Sequence, residues 1–169
     1  LLVILIYAFF FPLMFYVGLL RMKEEILLPG DFTFLQYVMK PFFLFLLFFA
    51  VNYGVIYFFY TVGKVKMDGF TLLARYGSIL TLPTLLLLIA FLSSFITPFF
   101  PEFFGFLASM GLFTVLSFLY LPLKRETGKG IDPFYAMLIT QGVSLLVFIL
   151  LLGSYLNEMG TLFYSGNLL

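Results

Sequence analysis

The chain has 169 residues, 63% of them hydrophobic and 10% charged, with a formal charge of +1 from nine Lys and Arg against eight Asp and Glu. An ordinary soluble domain carries about 25% charged residues, so a water-facing shell is excluded, and nine scattered cations exclude a nucleic-acid surface. With no His and no Cys there is no imidazole base, no thiolate, no disulfide and no ordinary zinc or haem site, and neither metal nor cofactor is expected.

Crossing the hydrocarbon takes about 20 predominantly apolar residues per helix. The apolar runs at about 1–20, 41–63, 76–98, 103–121 and 133–156 predict an all-α, polytopic transmembrane bundle of five helices forming one membrane domain. A β-barrel is excluded because these runs are continuous and do not alternate. The chain starts at Leu1, already inside an apolar run, which leads us to expect an N-terminal region that this sequence lacks.

Span one carries Pro12 near its middle, where the missing backbone donor predicts a bend. The mixed segment after it is broken by Pro29, Gly30 and Asp31 and reads as an interfacial loop. Span two opens at Pro41, a residue suited to a first helical turn. Inside it Ala50 and Gly54 have the small-xxx-small spacing that permits a close helix contact, and Asn52 between them must find a partner in hydrocarbon. Asp68 then caps a short amphipathic helix that carries Phe70, Leu72 and Leu73 to the interface.

Span three has Pro83 in its first turns, with Ser78, Thr81 or Thr84 available to freed backbone groups, and repeats the small-residue spacing at Ala90 and Ser94. Span four places Gly105 and Ser109 on one face. Asp132 and Pro133 make a cap and first turn for span five, where Gln141 and Ser144 form a polar strip facing the bundle. In the absence of Trp, Tyr16, Tyr60, Tyr76, Tyr120, Tyr135 and Tyr155, all close to the expected span ends, are read as the interfacial belt.

Lys and Arg counts set orientation. Alternation of five spans puts Lys64, Lys66 and Arg75 on the same side as Lys124, Arg125 and Lys129, against Arg21, Lys23 and Lys40 on the other. The start of the chain and both of the richer loops are therefore expected in the cytoplasm, where those six cations contact anionic lipid headgroups, with the C-terminus outside. The string Glu126 to Gly130 lacks the phosphate-loop pattern and reads as a solvated loop.

The stretch from Gly63 to Leu87, with Phe70, Leu72, Leu73, Tyr76 and Pro83, and the stretch from Leu123 to Ile139, with Arg125, Glu126, Gly128 and Lys129, resemble the Yip family, five-span membrane proteins of the Yip and YIPF type with bacterial relatives. The resemblance covers spans two to five. It implies a five-helix bundle with a cytoplasmic N-terminal region, and it implies no activity for any residue. The Phe-rich composition favours a bacterial plasma membrane. The expected function is a non-enzymatic scaffold or subunit that binds another integral membrane protein, or a second copy of itself, through its small-residue faces. The alternative is a channel or transporter component for a small or lipidic substrate.

Overall fold

The computed structural model describes residues 1–26, 33–63, 65, 67–95, 99–120 and 132–166. They form helices α1 (Leu2–Ile26), α2 (Lys40–Val62), α3 (Gly69–Ile79), α4 (Thr81–Ser93), α5 (Phe99–Phe118) and α6 (Pro133–Gly166), with a π-helical turn at Leu35–Met39 leading into α2. No strand occurs among the described residues.

Local chemistry sets several helix ends. Pro41 occupies the first turn of α2, where a residue without an N–H leaves nothing unpaired that was not already unpaired. The Asp68 side chain accepts from the backbone N–H of Thr71 at 3.4 Å and caps α3. The Asp132 side chain accepts from the N–H of Phe134 at 2.9 Å, satisfying a donor of the first turn of α6.

The expected five spans are corrected. The stretches Leu2–Leu20, Leu35–Val62 and Pro133–Tyr155 are long and apolar enough to cross a membrane. A fourth exists if α3 and α4 count as one span, and these two helices are bent by 41°. The cause of the break is Pro83: it offers no N–H to the carbonyl of Ile79, and its ring crowds that carbonyl. The helix therefore turns at Leu80, inside the run that hydropathy reads as one straight span from 76, and its first arm starts at Gly69. The run at 103–121 is not among the stretches of full spanning length in the described residues. Its described apolar helix, Phe103–Thr114, is shorter, α5 stops at Phe118, and Leu119 and Tyr120 turn inward and are buried. The five-helix membrane bundle implied by the Yip resemblance falls with this count.

Side-by-side packing closes a ring in which α1 touches α2 and α4, α4 lies on α5, and α5 and α2 both touch α6. Rings mark the directions. Tyr7 meets Phe49 and Phe11 meets Phe45, with centroids 5.8 and 4.8 Å apart, so α1 and α2 are antiparallel. Phe10 stacks edge-on against Phe91 of α4 at 5.3 Å. At the centre Phe48, Phe113 and Phe148 join α2, α5 and α6, each pair in edge-to-face geometry, which aromatic quadrupoles favour.

The helices leave large apolar side chains such as Phe43, Phe58, Leu85, Ile89, Leu146 and Leu150 on the outside. In water such a surface is unfavourable, whereas hydrocarbon accepts it. The fold is that of a helical, multi-pass membrane protein. The tyrosines need correction: Tyr60, Tyr76 and Tyr120 are no more than 2% exposed, so they are core residues. Tyr135 is exposed, and Tyr16 and Tyr155 are partly so.

Candidate functional site

Residues four apart on a helix lie along one stripe. On α2 the stripe Phe48, Asn52, Ile56 and Tyr60 is buried throughout. On α6 Ala136, Thr140 and Ser144 are fully buried, and Phe148 follows at the same spacing. The two stripes face each other antiparallel, Phe48 against Phe148 at 6.0 Å and Asn52 against Ser144, and the small side chains of α6 make room for the larger ones of α2.

The polar members of this seam bond one another. Ser144 Oγ donates to Asn52 Oδ1, while Asn52 Nδ2 donates to the carbonyl of Phe48 at 2.8 Å. Two turns away Tyr60 Oη donates to the carbonyl of Leu119. Thr140 Oγ1 donates to the carbonyl of Ala136 at 2.9 Å and is paired with Tyr120 Oη. The last buried residues of the α5 segment are thereby tied to both α2 and α6. A separate bond, from Tyr7 Oη to the carbonyl of Ala108 at 3.3 Å, joins α1 to α5.

The structure distributes the other residues singled out from sequence. Ala50 and Gly54 point outward from α2, and a Cβ on Gly54 would meet nothing within 4 Å. Ala90 and Ser94 are buried on α4, with Ser94 Oγ donating to the carbonyl of Phe91 at 2.6 Å. Gly105 is buried against Met14, whose methyl lies 2.9 Å from the position of an added Cβ. Ser109 donates to the carbonyl of Gly105 at 2.9 Å. Pro83 is buried against Gly111, where an added Cβ would stand 3.1 Å from its ring. Gln141 is half-buried, one residue past Thr140. Arg75 is exposed on α3, and Lys64, Lys66, Lys124, Arg125 and Lys129 lie outside the described residues.

Asn52 and Ser144 were thus legible singly, but not as a pair. Thr140, Tyr60, Tyr120, Tyr7 and Gly111 were missed as parts of the packing. A signal existed for Thr140 and Tyr60, which stand four residues before Ser144 and eight after Asn52.

The hydrogen bonds with Thr71 hold the Asp68 carboxyl below the usual carboxylate range. Among the described residues no group of three or more acidic, His or Cys side chains gathers. Chemically, the seam offers hydroxyls and one amide engaged with each other and with backbone, an arrangement that joins helices.

No family model matches the chain, no curated protein matches it, and no solved structure matches it.

Proposed function

We propose that this multi-pass membrane protein is a non-enzymatic scaffold or subunit, joined to another integral membrane protein or to a second copy of itself through the outward face of α2 at Ala50 and Gly54. The observation that carries the proposal is the bond between Ser144 and Asn52. Polar groups at mid-span serve either a solute path or helix adhesion, and here they are engaged with each other across the α2–α6 contact. The Ala50–Gly54 face then remains as a place where a partner helix can approach the backbone closely. The Yip-family resemblance, which the comparisons leave without support, plays no part in this proposal.

One observation favours a channel or transporter component instead, the 41° break between α3 and α4, since transporters build sites at broken helices. Two measurements separate the readings. Crosslinking in native membranes followed by mass determination in mild detergent is expected to give a complex, weakened by Gly54→Leu. A lone monomer in both settings overturns the scaffold reading. Flux into liposomes that disappears in Asn52→Leu combined with Gln141→Leu establishes the transport reading.

For orientation we propose a cytoplasmic location for the end of the bundle where α2 finishes and α6 starts. Antiparallel α2 and α6 bring Val62 and Pro133 to one end, and the connections leaving from there contain Lys64, Lys66, Lys124, Arg125 and Lys129. The positive-inside rule favours that side. A bacterial plasma membrane is the proposed location, on composition.

A further inference from the structure

Helix α3 touches α1 and α2, and its buried side is one stripe: Leu72, Tyr76 and, just past its end, Leu80, each 1% exposed. Phe70, Thr71, Ala74, Arg75 and Ser78 face outward. Among the described residues a single hydrogen bond ties this helix to another, from Tyr53 Oη of α2 to the carbonyl of Gly69 at 2.9 Å. The Tyr76 ring lies edge-on to Phe49, with centroids 6.3 Å apart. Its hydroxyl differs from those of the other core tyrosines. Tyr7, Tyr60 and Tyr120 are no more than 2% exposed, and each phenol has a hydrogen-bond partner. Among the described residues Tyr76 Oη has none. A hydroxyl buried without an acceptor costs free energy that is recovered where water or headgroups can accept from it, so the docked position of α3 stores that cost. A joint exists to release it. Helices α3 and α4 meet at Leu80 with a bend of 41°, and Pro83 supplies no N–H to lock the carbonyl of Ile79 across it.

We propose that α3 is a hinged lid, held down by the Tyr53 bond and pushed out by the unpaired Tyr76 hydroxyl. Turning about Leu80 lifts the stripe off α1 and α2, uncovers Phe49 and gives the phenol the acceptors it lacks when docked. The two tyrosines thus act in opposite directions on one two-state element. The lid depends neither on a partner at the outward face of α2 nor on a solute path.

The chain contains no Cys, so a single buried cysteine reports opening through its reaction with a small maleimide. The rate follows the open population when closing is faster than labelling. Leu72→Cys places the reporter under the lid. Leu87→Cys, from an equally buried Leu of α4, reports opening of the bundle itself. Each is made in the full chain in mild detergent, alone and with a second substitution. Tyr76→Phe keeps the ring and removes the unpaired hydroxyl, and labelling at Leu72→Cys is then expected to slow by about 5- to 150-fold. With Tyr53→Phe it is expected to speed up about threefold. Labelling at Leu87→Cys is expected to stay unchanged in both. An unchanged or faster rate in Tyr76→Phe overturns the proposal, because the hydroxyl then has a partner in the docked position, such as an ordered water. A rate unmoved by Tyr53→Phe overturns it as well, since nothing then holds the lid down. Equal changes at the two reporters also overturn it, because the bundle then opens as a whole.

Discussion

Asn52 and Ser144 do not depend on each other equally. Without Asn52, the Ser144 hydroxyl can turn and donate to the carbonyl of its own helix one turn back, as serines in helices do. Without Ser144, the Asn52 side-chain oxygen is left an acceptor in a helix whose N–H groups are already engaged, and a buried group without a partner costs about 1–3 kcal/mol. We therefore expect Asn52→Leu to destabilise by about 0.6 kcal/mol, the average for a hydrogen bond between membrane helices. Ser144→Ala is expected to destabilise more, about 1–2 kcal/mol. Unfolding in mixed micelles measures both, and the double variant should fall short of the sum because the two side chains share one bond. Equal losses from the two single substitutions would overturn this asymmetry, and strict additivity in the double variant would show that the bond is not the source of the effect.

At the scale of elements, the break at Leu80 has a specific cause that can be removed. Pro83→Ala restores an N–H to the carbonyl of Ile79 and is expected to straighten α3 onto α4. Spin labels on Phe70→Cys and Leu92→Cys, both exposed in a naturally cysteine-free chain, would then move apart by about 2 Å, from the rise per residue of two straightened arms. An unchanged distance would assign the bend to packing. Gly111→Ala addresses the same joint from α5: its new Cβ would stand 3.1 Å from the Pro83 ring, a rigid neighbour. Overpacking of this kind is expected to destabilise by about 1–3 kcal/mol, read in the same micelle unfolding assay.

The start of α3 responds to pH through Asp68. Its folded pKa is depressed by the hydrogen bonds with Thr71, so the cap contributes above the unfolded value of about 3.9 and is lost as pH falls through the lower folded value. A Phe70→Trp reporter should show the first turn of α3 loosening only in that acidic window. Asp68→Asn, which caps without titrating, should abolish the transition. A transition that persists in Asp68→Asn would place its origin at another group.

For the whole molecule, the proposed sidedness rests on loop charge and the antiparallel seam, without a count of spans. Single cysteines at Met67 and Asp132, near the end where α2 finishes and α6 starts, should behave alike toward an impermeant maleimide on intact cells and be protected. One at Thr33, ahead of α2 at the other end, should label. The reverse pattern overturns the proposed orientation, and a split between Met67 and Asp132 overturns the packing of α2 against α6.

Sequence by itself determined what depends on the solvent and on the nearest neighbours in the chain. A composition rich in Phe and Leu and poor in charge admits hydrocarbon as the surroundings. Continuous apolar runs require helices because lipid cannot satisfy an open backbone. Pro41, Asp68 and Asp132 act within a turn of their own positions and could be read directly. Whether an apolar run is one crossing or two arms was decided at Leu80, since hydropathy averages over the break that Pro83 makes. The pairing of Asn52 with Ser144, 92 residues apart, and the burial of Tyr60, Tyr76 and Tyr120 depend on which helices become neighbours. In lipid every outward apolar face is equally acceptable, so hydrophobicity alone cannot choose those neighbours. The choice is made by fit between small and large side chains and by hydrogen bonds between helices, which exist only once the bundle has formed.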